Sequence, residues 1–329
     1  MISIICLIYN EERYIKNCIE SILAQDYAKD DMEVLFVDGM SKDKTREIVA
    51  EYAKLYSFIR LIDNPEKIVP YAMNKGIEAA KGDVIIRLDA HAAYAKNYFS
   101  ALVKRLKELE ADNVGAPCRT DVLNKSAKTL AIKEVLSNRF GVGESMFRLG
   151  VDEVQVVDTV PFGCWPKTIF EKYGKYDVRL VRNQDIELNK RILRGGGKIF
   201  LVPDTYSTYY ARETYKALAK NNYANGKWNI LTVVYTKTFS SLSLRHFIPL
   251  LFLLSLVVPL LLGVIWWPVA LLSALSLVAY LSLISVVSLK AAKEKHLSFI
   301  RLVESFAVLH LSYGWGSMVG IVQCLGMKS

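Results

Sequence analysis

The chain opens on an apolar run of strand length, Ile2–Ile8, then the polar turn Asn10-Glu11-Glu12 and a helical repeat through Ile15, Ile19, Ile22 and Leu23. A second run, Val34–Val37, closes on Asp38-Gly39 and precedes a helix carrying Ile48, Val49 and Tyr52. Phe58–Ile62 predicts a third strand, with a helix over Ala72–Ala80 that stops at Lys81-Gly82. Val84–Leu88 predicts a fourth, ending in Asp89-Ala90-His91. Strands that are apolar at every position are buried on both faces, so the alternation predicts an α/β domain with a mainly parallel sheet covered by helices. The polar residues gather directly after the strands, where open α/β sheets hold their ligands.

From about residue 112 to 205 the pattern loses its regularity. Val154–Val157 and Ile199–Val202 are short strand candidates, and Pro161, Gly163 and Pro166 signal turns. One helix stands out, Gln184–Leu193, with Asn183 as its N-cap and Gly195-Gly196-Gly197 as its stop. A regular first half followed by a less regular one predicts that the second part meets a second substrate.

The C-terminal region changes character. Phe247 to Leu289 is 43 residues without Asp, Glu, Lys, Arg or His, or about 65 Å as helix, roughly twice the ~30 Å hydrocarbon core. Two spans fit, near 247–266 and 269–289, with Trp266-Trp267-Pro268 as an interfacial turn. A third segment, 302–325, carries Glu304 and His310; it reads as a third span whose polar residues face its neighbours, with a re-entrant or interfacial helix as the alternative. The expected division is a catalytic domain over 1–240 and a membrane domain of two to three helices over 241–329. Arg212, Lys216, Lys220, Lys227, Lys237 and Arg245 precede the first span against Glu213 alone, and Lys290, Lys293, Lys295 and Arg301 follow the second against Glu294. Positive charge stays inside, so the expected topology is multi-pass in the cytoplasmic membrane, with the N-terminal domain in the cytosol. Met1–Tyr9 lacks a basic leader and is too short for a secretory signal.

Composition agrees. In 329 residues, 52% hydrophobic and 23% charged excludes a disordered chain, and five cysteines without metal-ligand spacing exclude a disulfide scaffold. The net charge of +9 resolves into the basic flanks of the spans, and no nucleic-acid partner is expected.

Three places are candidates for chemistry. Asp38 ends the second strand, where a carboxylate can meet a base or ribose; an Asx turn with Ser41 is the alternative. Asp43 and Thr45 read as caps of the next helix. Asp89 and His91, two apart, point the same way if the chain is extended, and suit a divalent cation holding a diphosphate; a solvated strand end is the alternative. No glycine-rich phosphate loop accompanies the strands. Asp185 lies in the first turn of a helix, where the dipole favours the ionised carboxylate, able to take a proton. Glu187 is the weaker candidate for a base.

Together these residues resemble glycosyltransferase family 2, GT-A fold enzymes that use nucleotide sugars. The resemblance rests on Asn10-Glu11-Glu12, the Asp38-Gly39-x-Ser41-x-Asp43-x-Thr45 run, Asn74-x-Gly76, Gly82-Asp83-Val84, Leu88-Asp89-Ala90-His91-Ala92, Phe162-Gly163 and Asn183-Gln184-Asp185, in order over residues 2 to about 205. The Asp89-Ala90-His91-Ala92 form, the run Val157–Gly163 and the C-terminal spans look most like succinoglycan-type exopolysaccharide glucosyltransferases. The resemblance implies a UDP-sugar donor, with Asn10, Glu12, Asp38, Asn74 and Asp89 about the nucleotide sugar. It implies Mg²⁺ or Mn²⁺ on Asp89 and His91, although His91 stands where an aspartate is usual. Asp185 takes the place of the inverting base, with Gln184 replacing the usual acid beside it. Lys227 and Arg212 are candidates for the diphosphate or a carrier phosphate, or else form a basic face on anionic lipid. The processive Q-x-x-R-W motif is reduced to Asn225-Gly226-Lys227-Trp228, so a polymerase is not expected.

The reading is an inverting hexosyltransferase acting from a UDP-sugar onto a lipid-linked or glycan acceptor in cell-surface polysaccharide synthesis. Its rivals are a polyprenyl-phosphate glycosyltransferase and a non-catalytic sugar-nucleotide-binding subunit.

Overall fold

The computed structural model describes residues 1–239 and 242–326, which divide into two compact units: residues 1–119 with 146–210, and 120–145 with the residues from 211 onward. In the first unit β1 (Ile2–Ile8), β2 (Met32–Asp38), β3 (Ile59–Asp63) and β4 (Val84–Asp89) alternate with α1 (Ile15–Leu23), α2 (Thr45–Leu55) and α3 (Val69–Ala79). These strands are parallel, in the order β3-β2-β1-β4, with Ile8 opposite Asp38 and Leu7 opposite Asp89. After β5 (Ala92–Tyr94) and α4 (Tyr98–Glu108), the sheet is extended by β6 (Asn113–Gly115), β8 (Gln155–Val156), β9 (Cys164–Pro166) and β10 (Ile199–Leu201). β9 inserts antiparallel between β4 and β6, while β10 pairs parallel with β6 and antiparallel with β8. The sheet is thus mainly parallel with two antiparallel strands.

Continuous apolar runs became doubly buried strands, as expected. Ile2, Ile4, Cys6 and Ile8 pack on one face with α1 and α4, through Ile15, Ile19, Phe99 and Leu102. Ile5 packs on the other with Ala72, Met73 and Ile77 of α3 and with Leu188 and Ile192 of α9 (Gln184–Arg194). A small second sheet pairs β5 with β11 (Ser207–Tyr210), Ala92 opposite Tyr209; β7 (Cys118–Asp121) completes it. Between β9 and α9 lies the single turn α8 (Ile169–Lys172).

The second unit takes in α5 (Ala127–Val135), α6 (Arg139–Val142), α10 (Tyr215–Thr236), α11 (Ile248–Leu262), α12 (Ala270–Lys295) and α13 (Phe299–Gly326); α7 (Met146–Leu149) returns the chain to the first. The segment 120–145 departs from the linear sequence pattern: Ala131 and Val135 of α5 share a core with Ile284 of α12 and Leu302, Phe306 and Leu309 of α13. Three segments are long and apolar enough to cross a membrane, Leu244–Leu262, Trp267–Lys295 and Phe299–Gly326. The first ends before Trp266, at Gly263 behind the internal Pro259. The polar residues of α13 face neighbours: Glu304 meets Arg301 at 2.8 Å and the Tyr215 hydroxyl at 3.0 Å, and His310 meets the Tyr280 hydroxyl at 3.0 Å and the Phe140 carbonyl at 2.8 Å.

α10 lies on α13 almost backbone to backbone. A Cβ on Gly316 would stand 1.9 Å from the Tyr223 carbonyl, and one on Gly226 1.9 Å from the Tyr313 carbonyl. Gly316→Leu therefore forces the helices apart and is expected to cost about 2 kcal/mol or more. Thermal unfolding in detergent checks this; an unchanged midpoint disproves the seam.

Candidate active site

The parallel order reverses direction between β1 and β4, because β1 is followed by connections toward β2 and β4 lies on its other side. Loops leaving such a switch point diverge and open a crevice at the carboxyl edge. Glu11, in the loop after β1, and His91, in the turn after β4, meet there, with Nδ1 of His91 3.3 Å from Oε1 of Glu11. Ala90 and His91 form a turn rather than continuing the strand, so Asp89 and His91 do not follow the alternation of extended chain.

Most motif residues after β1 and β2 are spent on each other. The amide N–H groups of Asn10, Glu11 and Glu12 donate to the Ser41 hydroxyl (2.8 Å), the Thr45 hydroxyl (2.8 Å) and the Asp43 carboxylate (3.1 Å). In return, Lys42 N donates to Oδ1 of Asn10 at 2.8 Å and Lys44 N to the Glu12 carboxylate at 3.4 Å. Asp43 also accepts from Thr45 N at 3.0 Å, the helix-start role expected of it. Its partial burial raises its pKa, but the hydrogen bonds from Thr45 and Glu12 outweigh this and hold it below the usual carboxylate value.

Asp38 is fully buried. Its carboxylate accepts from Ser41 N at 3.0 Å and from Nη1 of Arg46 at 2.5 Å, while Nη2 of Arg46 reaches Asp63 at 2.8 Å. Arg46 thus clamps the carboxylates that end β2 and β3. Asn74 donates to the Tyr176 carbonyl at 2.9 Å and accepts from Tyr176 N at 3.0 Å, a two-point clip that seats Tyr176. Gly82-Asp83 lies at the opposite, amino end of β4, where Gly82 N donates to Ser3 and Lys81 N to the buried Glu33.

Arg87 is a charge inside the apolar strand β4. Its Nε and Nη2 donate to Oδ1 of Asp89 at 3.3 and 3.2 Å, and its buried Nη1 makes no hydrogen bond among the described residues, nor does the buried Tyr176 hydroxyl. Burial alone would lower the proton affinity of Arg87; the fields of Asp89, Tyr176 and Asp185 outweigh it and raise it. Asp89 and Asp185 therefore belong to one electrostatic cluster around Arg87.

Asp185 is in the first turn of α9, as expected, half-buried, with Oδ1 accepting from the next amide at 2.9 Å. Asn183 holds the N-cap position in a left-handed conformation, φ 61°, without a side-chain cap. Asn tolerates that region better than most residues. Glu187 is buried in a two-point pair with Arg191, at 3.0 and 2.7 Å, which removes it as a base. Gly163 in the loop before β9 is required: φ is +96°, and a Cβ would stand 2.2 Å from the Trp165 ring.

Among the described residues no group of three or more His, Cys, Asp and Glu side chains is placed to hold a metal. Asp89 and His91 supply one carboxylate and one imidazole. That donor set fits a Mg²⁺ or Mn²⁺ completed by a substrate's phosphates and water rather than a closed protein cage. Lys227 belongs to the second unit, its carbonyl packed against Gly320 of α13.

Sequence reasoning missed Arg46, Asp63, Arg87 and Tyr176, and passed over Glu11. Arg87 left a signal, a lone charge within Val84–Leu88; Asp63 ends β3 as Asp38 ends β2.

A mainly parallel sheet with carboxylates at its switch point, continued by three long apolar helices, places the chain in the GT-A fold class. Its fold is similar to that of the mannosyltransferase PcManGT from Pyrobaculum calidifontis, solved with GDP-Man and Mn²⁺, with TM-score 0.60 and 17% identity over 100% of this chain and 88% of that one. It is similar also to S. aureus TarS 1–349 in complex with UDP-GlcNAc, TM-score 0.51 and 15% identity, over 99% and 92%. Residues 3–164 match the glycosyl transferase family 2 as a domain, and the chain is a glycosyltransferase. It is 29% identical over 231 residues to the dolichyl N-acetyl-alpha-D-glucosaminyl phosphate 3-beta-D-2,3-diacetamido-2,3-dideoxy-beta-D-glucuronosyltransferase of Methanococcus voltae, 68% of this chain and 71% of that protein. It is 29% identical over 223 residues to the succinoglycan biosynthesis protein ExoA of Rhizobium meliloti (strain 1021), 64% of this chain and 63% of that protein.

The clamp gives a stability prediction. Arg46→Met leaves the buried Asp38 carboxylate with Ser41 alone, an expected loss of about 3 kcal/mol. Asp63→Asn, at a position 57% exposed, should cost under about 1 kcal/mol. Chemical unfolding of the two variants side by side measures the difference, and equal losses disprove the clamp.

Proposed function

We propose that the chain is an inverting glycosyltransferase that moves a hexose from a UDP-sugar to a lipid-linked acceptor at the cytoplasmic face of a membrane. The observation that carries this reading is the cluster at the carboxyl edge: Asp89 bound to Arg87, His91 beside Glu11, and Asp185 within the field of the same Arg87. Asp185 accepts the proton of an acceptor hydroxyl while that oxygen forms its bond to the anomeric carbon. The bond from that carbon to the diphosphate breaks on the opposite side, and the nucleoside diphosphate leaves with the electron pair. Asp89 and His91 would hold the divalent cation, which when bound offsets charge on the diphosphate.

The names of the relatives support a lipid-linked or polysaccharide acceptor, since one acts on a dolichyl phosphate glycoside and the other serves succinoglycan synthesis. Membrane insertion is supported by α11 and α12, where Leu251, Leu260, Leu271, Leu275 and Val286 are all exposed. Such a surface belongs in hydrocarbon rather than water. The basic residues flanking the spans support a cytosolic catalytic unit.

A donor screen with lipid extracts as acceptor source, scored by released nucleoside diphosphate with and without EDTA, tests this. Turnover with a UDP-sugar that EDTA abolishes is expected; turnover that EDTA leaves intact removes the metal. Asp185→Asn should lower kcat by about 10²–10⁴-fold, and retention of half the rate would sink the assignment.

A further inference from the structure

Two glycines of α13 set it between neighbours. A Cβ on Gly314 would stand 2.4 Å from the Pro249 carbonyl of α11, and one on Gly316 1.9 Å from the Tyr223 carbonyl of α10. The side chains between these two contacts form a floor with a helix on either side. Leu311, Ser312 and Trp315 are that floor. Ala219, Lys220 and Tyr223 of α10 line one wall and Leu253 of α11 the other, around a groove of about 490 Å³. This is the size of a small-ligand pocket. Ser312 is spent on the Val308 carbonyl of its own helix at 2.6 Å, while Leu311 and Trp315 are exposed. The floor therefore offers hydrocarbon and indole rather than free hydrogen-bonding groups.

The groove has one charged end. α10 and α13 run parallel: the Tyr215 hydroxyl meets Glu304 at 3.0 Å, and further along Ser317 donates to the Gly226 carbonyl at 3.1 Å. Lys220 thus stands at the end of the groove nearer the start of α13, and Lys216 lies one turn before it on the same face of α10. Both lysines are exposed, and α10 carries no Asp or Glu from Tyr215 to Thr236. Two cations one turn apart repel each other, and an anion held between them relieves that repulsion. The start of α13 follows the basic residues 290–301, the side that charge assigns to the cytosol.

From this shape we propose that the groove binds the lipid of the acceptor: a polyprenyl chain lies along Tyr223, Leu253, Leu311 and Trp315, with its phosphate on Lys216 and Lys220. The inference rests on the lipid-linked acceptor argued above and deepens it by naming where that lipid is held. A bilayer phospholipid brings two acyl chains to its phosphate, whereas a polyprenyl phosphate brings one. A single groove with one cationic end matches the second.

The test titrates the purified full chain in detergent with radiolabelled undecaprenyl phosphate, using phosphatidylglycerol and inorganic phosphate as competitors. Saturable binding that about a tenfold excess of either competitor leaves in place is expected. Lys220→Gln and Trp315→Ala should each weaken it about tenfold, the effect of losing one charge-assisted contact or one buried aromatic face. Lys220→Arg keeps the charge and should bind within about threefold of wild type, which separates a lost contact from a lost fold. Lys290→Gln removes a cation of α12, which lines no part of the groove, and should change affinity by less than about twofold. Displacement by phosphatidylglycerol, an equal loss in Lys290→Gln, or unchanged affinity in both groove variants overturns the inference. A wild-type chain that glycosylates lipid extracts but does not bind undecaprenyl phosphate overturns the inference and leaves the acceptor reading standing. Turnover only with lipid-free glycans overturns both.

Discussion

Burial of β1 to β4 on both faces constrains everything else in the catalytic unit. Between Ile2 and Cys6 no side chain is accessible, and Ser3, the single polar one, is tied to Glu33 at 2.7 Å. Strands of this kind cannot carry polar groups along their length, so charge is displaced to their ends. The amino end keeps it for structure, in the Ser3–Glu33–Lys81 arrangement. The carboxyl end gathers Asp38, Asp63 and Asp89. Arg87 breaks the rule, a cation within the strand itself. Because an unpaired buried charge is costly, Arg87 requires a carboxylate, and Asp89 is the one it holds. The orientation of Asp89 therefore follows from the folding requirement of β4 before any ligand is considered.

The same constraint separates motif residues by task. Asn10, Glu12, Asp43 and Thr45 stitch the loop after β1 to the loop after β2, and Asp38 is the buried floor of that seam. They shape the crevice by holding its walls. Asp89, His91 and Asp185 lie where elements end, and in each the sequence neighbour is structural: Arg87, the β5 ladder, the first turn of α9. A motif in one dimension mixes both kinds, since a loop that must be rigid uses polar residues as readily as a loop that must bind.

This is why the fold was more legible than the site. β1 to β4 are long, local and uninterrupted, and their helices carry clear apolar faces, so alternation alone placed them. β6, β9 and β10 are three residues each and are set by pairing with distant partners, which leaves no periodic trace. The stretch 120–145 looked like an irregular part of the catalytic half, yet α5 packs on α12 and α13. α10 carries polar and apolar residues all round, because its buried side faces glycines and carbonyls rather than large apolar side chains. Within the candidate site, the position of Asp185 at a helix start and of Asp89 and His91 at a strand end was legible. Tyr176 and Tyr209 reach the cluster through an Asn74 clip and a strand ladder, neither of which local sequence encodes.

The second unit, with three segments long and apolar enough to cross a membrane, raises a different question of polar groups. A helix in hydrocarbon must satisfy its polar groups internally. Ser255 donates to the Phe252 carbonyl, Ser305 to Arg301, Ser312 to Val308 and Ser317 to Tyr313, each three or four residues back along its own helix. Ser273 instead crosses from α12 to the Leu256 carbonyl of α11, and the buried Ser288 hydroxyl finds no partner among the described residues. α13 needs more than this, because Glu304 and His310 are too polar to be satisfied by their own helix. Their partners come from α10, α12 and the 120–145 segment, through Tyr215, Tyr280 and the Phe140 carbonyl. Glycines 226, 316 and 320 let α10 approach closely enough to supply one of them. The inserted segment and the glycine seam are thus linked, since α13 can be apolar enough to span and still carry these two residues only when other elements of the same unit enclose them.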